Sequence, residues 1–412
     1  MKRYTRWHPC LPCLLLALTV LSLQSCLGIG ANFKTVNSNG QQIQINQDSQ
    51  AVFSGKIYFT LARNLYVLDG ALNVHQLTQG KDIRDPAVSP DGKWIAFDIR
   101  YKDYSDLAYM STSGGAIHTL VTGKGHYFNN SAGFLQSNYY WFAQPSWSAD
   151  SSHLLFLSNL QKLYVWANQG LGNDFDQTPF LDLQIFSLPI NTPTLSAKAA
   201  IDKAQIVAYA DYGDGGDRDP AYRPGHSDQI VYTRYTYDQS RTQQLIQIML
   251  QDPNMIADHP ELHYHPGDPG ESFNPGIAIT PAQAQNIQPA FSPTGDAIAY
   301  VRRENSSSMG LYVMPTPGEN VTTAPESSTM QRNALSSYNK SSQIQLQQLI
   351  SEPTWSPDGR QIAYISYTNN QFGIWLATLA RNAKKGTYSL QGNPIQLTSG
   401  GIDGDSRPCW HV

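Results

Sequence analysis

The sequence predicts an all-β chain: a six-bladed β-propeller of four-stranded antiparallel blades, its ring closed by N-terminal strands pairing with a C-terminal strand. Three observations predict it. First, a Pro-led segment recurs along the 412 residues, with its proline at Pro86, Pro145, Pro220, Pro289, Pro353 and Pro408, and self-similarity at a period of tens of residues is the signature of a repeat architecture. Second, the two ends are complementary: IYFT, LYVL and QLTQG (from Ile57, Leu65 and Gln76) read as strands two to four of a blade without a first strand, and Arg407–Trp410 reads as a first strand alone. Joined, they leave no free sheet edge at the seam. Third, charged residues are only 15%, against 31 Gly, 25 Pro, 23 Tyr and 8 Trp. Helical bundles and disordered polyelectrolytes need far more charge than that, since about 25% is usual even for globular domains.

Taken in chain order, residues 1–25 come first. Lys2, Arg3 and Arg6 precede an uncharged apolar run, Leu11–Leu23. The run is too short to span a bilayer as a helix, which takes about 20 residues, but suits a signal-peptide core. It ends Leu23-Gln24-Ser25-Cys26, which resembles a bacterial lipobox. The reading is a lipoprotein signal peptide over 1–25 and a lipidated Cys26, with an ordinary cleaved secretory signal as the other reading. Diacylglycerol on Cys26 brings two acyl chains, enough for a stable membrane anchor. Residues 26–54, polar and rich in Gln and Asn, read as a flexible tether. The propeller takes 55–412.

Within it, five full copies appear at Asp85–Phe97, Gln144–Phe156, Asp219–Tyr232, Gln288–Tyr300 and Glu352–Tyr364. Proline opens a short strand where no ladder donor is needed. The residue two positions on (Val88, Trp147, Tyr222, Phe291, Trp355, Trp410) is expected between neighbouring sheets. Ser-Pro-Asp-Gly makes a type I turn with glycine at the following bulge, so each copy is a hairpin. Third strands follow from Leu107, Leu183, Leu245, Leu311 and Ile374, and fourth strands are clear from Leu120 and Gln396. The insertion Thr316–Ser351 reads as a mobile surface loop without chemistry.

Ser89-Pro90-Asp91-Gly92 and Ser356-Pro357-Asp358-Gly359, each followed by an I-A-F/Y strand, resemble the hairpin of the TolB-type, WD-repeat-like propeller family. The other copies match it in part. The resemblance implies a propeller of that type over 55–412. The family includes a periplasmic protein that docks onto a lipoprotein, the propellers of some peptidases, and oligogalacturonate lyases, so the resemblance speaks to fold and leaves function open.

No catalytic motif is found: G-x-S-x-G, Walker A and H-E-x-x-H are all absent from the sequence, and they are what nucleophilic, phosphate and zinc chemistry would require. The formal charge of −4 gives no footprint for nucleic acid. His259, His263 and His265 could supply nitrogens to a transition metal, or form a solvated loop. The acidic stretch with Asp211, Asp214, Asp217 and Asp219 suggests Ca²⁺, or a plain interblade loop. Asp82, Asp85, Asp217, Asp219, Asp403 and Asp405 are expected at the channel mouth, where propellers commonly bind ligands. The insertion Gly125–Gln144, with Tyr139, Tyr140 and Trp141, is either an interaction patch for a protein, peptide or glycan or extra core. The composite expectation is a monomeric, membrane-anchored extracytoplasmic binding or scaffold module with no cofactor. The alternative is a metal-dependent channel-mouth enzyme, lyase- or hydrolase-like. After signal removal Cys409 has only Cys26 for company and is expected to be a small buried hydrophobe.

Overall fold

The computed structural model describes residues 32–38, 40–129, 133, 135–160, 182–210, 214–251, 276–318 and 335–412. The leader, Cys26 and His259, His263 and His265 lie outside them.

Each repeat becomes one antiparallel sheet. Sheet I joins Cys409–His411 to Lys56–Leu61, Asn64–Asp69 and Val74–Gln76. Sheet II runs Asp82–Val88, Trp94–Arg100, Ser105–Ser111 and His118–Thr122, with Leu195–Ser196 added in parallel at its outer edge. Sheet III is Phe142–Trp147, His153–Ser158, Gln184–Pro189 and Gln205–Ala208. Sheet IV is Asp217–Arg223, His226–Tyr237, Gln244–Gln251 and Ile277–Ala278. Sheet V is Asn286–Phe291, Ala297–Asn305, Ser308–Pro315 and Ser342–Gln347. Sheet VI is Ile350–Trp355, Gln361–Thr368 and Gln371–Asn382, whose last strand pairs with both Thr387–Leu390 and Ile395–Gln396. The six first strands touch in a closed cycle, the last of them, Ile350–Trp355, against Cys409–His411. They therefore line a central channel.

The ring closes as the complementary ends require. Lys56, Ile57 and Tyr58 pair with His411, Trp410 and Cys409. Cys409 is half-buried and unpaired, its sulfur accepting from the Val88 N–H at 3.3 Å.

Three expectations are corrected. The count of six blades misses a sheet. Phe33–Ser38 and Gln41–Asn46 pair with each other and then with Thr398–Ser399, so a seventh sheet, of three strands, joins the six that the repeats encode. The supposed tether over 26–54 is therefore folded from Phe33 onward. Its Ile43 and Ile45 are fully buried in the seam between sheets VI and I, with Ile57, Tyr66, Ile365 and Ile374. Two isoleucines alternating with glutamines are enough to make one strand face apolar. The Thr316–Ser351 segment is likewise more than a loop, because Ser342–Gln347 is the fourth strand of sheet V.

The repeat motif folds as its chemistry dictates. Ser89 Oγ donates to Asp91 Oδ1 at 2.6 Å and accepts from the Trp94 N–H at 3.0 Å, while Gly92 sits at φ 71° and closes the turn onto the Ser89 carbonyl. Ser148 with Asp150, and Ser356 with Asp358, repeat this arrangement. The Trp two residues after proline reaches the neighbouring sheet: Trp147 Nε1 donates to the Ala87 carbonyl at 2.8 Å, and Trp355 Nε1 to the Ala290 carbonyl at 3.0 Å. Sheets II and III, and sheets V and VI, are thus joined by an apolar layer and by one oriented hydrogen bond from a buried indole, which needs a partner when desolvated.

Candidate functional site at the channel mouth

The residue before each proline is the organising element. Asp85, Gln144, Asp219, Gln288 and Glu352 all have positive φ, between 50° and 56°, although a residue before proline ordinarily prefers extended backbone. A register shift, the mark of a β-bulge, falls at each of the five. The strained backbone is held by bonds around the ring. Gln144 Nε2 donates to Asp219 Oδ1 at 2.9 Å, and its Oε1 accepts the Asp219 N–H at 2.7 Å. Gln288 treats Glu352 in the same way, at 2.6 and 3.0 Å. Thr233 Oγ1 bridges Asp219 and the Gln288 N–H. Asp85 accepts the Arg407 N–H at 3.0 Å and takes the Ser406 hydroxyl on its own N–H. One pleat position, repeated around the ring, thus stitches neighbouring sheets across the channel.

These carboxyls are buried. Burial, followed by the charges of Asp219 and Asp85, pushes the Glu352 carboxyl well above the usual range. Asp219 is also raised by burial, against the pull of Arg407. Asp98, beside them, is pushed up to about 8 by burial and the Asp85 charge. Glu352 Oε2 and Asp98 Oδ1 accept no hydrogen bond. Two guanidiniums reach this cluster: Arg100, 3.3 Å from Asp98 and 3.9 Å from Asp85, and Arg407 from beside the closing strand, which donates to the Pro145 carbonyl at 3.2 Å.

The mouth above carries the expected aspartates, and they are occupied. Asp82 and Asp405 hold Arg84 at 2.9 and 2.7 Å, and Asp403 takes the Arg63 N–H at 2.8 Å. Asp217 clasps Arg234 at 2.9 Å inside sheet IV. Asp214 pairs with Arg241 at 3.0 Å, and Asp211 lies outside the described residues. Among the described residues no three His, Cys, Asp or Glu side chains assemble as a metal site. The structure thus brings Asp82, Asp403 and Asp405 together around Arg84, and Asp85 with Asp219 around Arg407. It leaves Asp217 apart from both groups.

The aromatic insertion divides. Gly123 and Gly125 let its two arms approach so closely that a Cβ on either would lie 2.3 and 2.1 Å from a carbonyl oxygen. Tyr140 and Phe142 turn inward and join the core between sheets II and III. Tyr139 and Trp141, on the other side of the arm, are half-buried. Tyr139 lies 5.9 Å from Tyr104 at 10°, Tyr104 lies 4.5 Å from Tyr101 at 15°, and Tyr127 meets Tyr139 edge-on at 5.1 Å. Tyr101 and Tyr127 are 38% and 55% exposed. Burial and then the Asp106 charge raise the Tyr101 hydroxyl pKa, so the ring stays neutral. This four-tyrosine shelf stands on the mouth face, since the Tyr101–Tyr104 turn follows Arg100, the pairing partner of Asp82. Tyr101 and Tyr104 are not among the residues that the sequence singled out. The signal for them is a Tyr-x-x-Tyr turn within a repeat, joining strands two and three on the same face as the insertion.

The chain resembles solved propellers. TolB from Acinetobacter baumannii aligns over 89% of this chain and 68% of its own, at 17% identity and TM-score 0.51. This chain has the TolB-like propeller fold. Oligogalacturonate lyase from Vibrio parahaemolyticus aligns over 88% of this chain and 85% of its own, at 12% identity and TM-score 0.42. No family model matches the sequence, and no curated protein matches it. At these identities the TolB-like likeness describes architecture, and function has to come from the surface itself.

Proposed function

We propose that this TolB-like propeller is a lipid-anchored, extracytoplasmic binding or scaffold module of a bacterial envelope, recognising an envelope protein, peptide or glycan on the mouth face. The observation that carries the reading is the tyrosine shelf. The mouth acids are engaged by the protein's own arginines and backbone, whereas the shelf offers rigid amphipathic rings to solvent. Tyrosines of that kind are enriched where partners dock, because each contributes large contact area at small entropic cost.

The anchor and the recognition surface have separate tests. Cys26→Ala is expected to move the full-length protein from the membrane to the soluble fraction on cell fractionation. Retention in the membrane would remove Cys26 as the anchor. For recognition, the lipid-free body (residues 27–412) is used to capture partners from envelope extract. Tyr101→Ala with Tyr139→Ala is expected to weaken capture at least about tenfold, consistent with loss of two hot-spot side chains. Tyr140 is left intact because it belongs to the core. Unchanged capture by the double variant would refute the shelf as the docking surface.

A further inference from the structure

A second surface on the mouth face lies away from the shelf and has different chemistry. Where the outer strand of sheet V crosses into sheet VI, a groove of about 380 Å³ is lined by Gln347, Gln348, Ser366, Tyr367, Thr368, Asn369 and Asn370. Its size is that of a small-ligand site. None of these residues is charged and none is aliphatic.

The groove is held in shape. Asn369 and Asn370 both have positive φ, 51° and 61°, and form the two-residue turn between Thr368 and Gln371. Such a turn matches strand twist and favours Asn. Ser366 Oγ lies 2.6 Å from Gln347 Oε1 and 2.8 Å from the Leu349 carbonyl, its one hydrogen shared between the two acceptors, which holds the Gln347 amide in place. Tyr367 is 39% exposed, and its ring is steadied by Phe372 at 4.9 Å and 55°. A placed aromatic ring therefore stands beside four amide side chains, each able to donate and accept at once.

We infer that this groove binds a neutral saccharide. An ionic ligand gains nothing from a lining without charge. An apolar peptide anchor would desolvate four amides without satisfying them, which is costly for every group left unpaired. A pyranose ring answers both halves of the site. Its C–H face covers the Tyr367 ring, and its vicinal hydroxyls pair with the Asn and Gln amides. This goes beyond the proposed function, because the groove and the shelf share no residue.

The test uses the lipid-free body and four neutral hexasaccharides as probes (malto-, cello-, laminari- and chitohexaose), followed by NMR titration. At least one is expected to bind with Kd of about 1 mM or tighter. Tyr367→Ala should weaken that binding about tenfold or more, and Tyr367→Phe should keep it within about threefold. Gln348→Ala, at an exposed position, should weaken it about threefold, and circular dichroism checks that each variant folds. No binding of any neutral hexasaccharide at about 10 mM would overturn the inference. So would binding untouched by Tyr367→Ala. The groove is read by titration of the Tyr367 and Gln348 variants and the shelf by capture with the Tyr101 and Tyr139 variants, so a failed capture experiment and a failed groove are told apart.

Discussion

Deleting Cys409–Val412 is expected to abolish the cooperative fold. Those four residues supply the inner strand of sheet I, and they hold the ring together across the chain ends. Trp410 is the principal loss. It is buried against Phe53 at 5.5 Å, and its Nε1 donates to the Ser54 carbonyl at 2.8 Å. Removing a buried Trp costs about 3–5 kcal/mol. The lost ladder bonds, and a newly exposed edge on Lys56–Leu61, add to that. Whole-domain stability is about 5–15 kcal/mol, so the sum consumes a large part of it. Thermal unfolding by circular dichroism should show a broad transition shifted down by at least about 10 °C, or none. A synthetic peptide spanning Asp405–Val412 should restore the transition in trans. An unshifted transition in the truncated chain would mean that the seventh sheet, with Ile43 and Ile45 in the same seam, holds the ring without the closing strand.

The contrast between those two seam elements explains what could be read beforehand. The closing strand was legible because Pro408 and Trp410 occupy fixed positions in a motif copied five times elsewhere. Strand Gln41–Asn46 was not, because Ile43 and Ile45 are the whole of its buried apolar pattern, too little to stand out from a Gln-rich segment. Ser342–Gln347 hid for the same reason: Ile344 is its one buried apolar side chain. The acids of the mouth could be named from the sequence, because each stands just before or at the start of a first strand. Their neutralisers were not: Arg84 shares a strand with Asp82 but also holds Asp403 and Asp405 from the far end of the chain, and Arg100, Arg234 and Arg407 reach their acids from other segments, so only folding brings them within reach. Tyr139 and Tyr140 are adjacent in sequence yet lie on opposite sides of the extended arm, so one joins the shelf and the other the core. Composition cannot separate them, whereas alternation along the arm does.

Arg407→Met should reveal the charge balance of the channel, with an effect that grows with pH. Arg407 is the cation that lowers the pKa of both Asp219 and Glu352, whose carboxyls burial otherwise raises. Without it, Asp219 and Glu352 lose the cation they share, while Asp85 keeps only Arg100 at 3.9 Å. Leaving buried charges uncompensated costs about 3–5 kcal/mol. Arg407 is only half-buried, so solvent screening reduces the expected loss to about 2–3 kcal/mol near pH 8. The sign follows from linkage. A carboxyl whose folded pKa lies above its unfolded value holds its proton more tightly in the native state. Its burden on stability is therefore absent below the unfolded pKa, about 4, and grows as pH rises through the folded pKa. The variant and the parent should thus be nearly equal in chemical denaturation at about pH 4.5, and should separate between there and pH 8. Glu352→Gln added to Arg407→Met should recover much of the loss at pH 8 and little at pH 4.5. It removes one of the facing charges, and an amide oxygen remains to accept from Gln288 Nε2. A pH-independent deficit would assign the role of Arg407 to its bond with the Pro145 carbonyl and to packing, and would leave the channel acids balanced by their own protons.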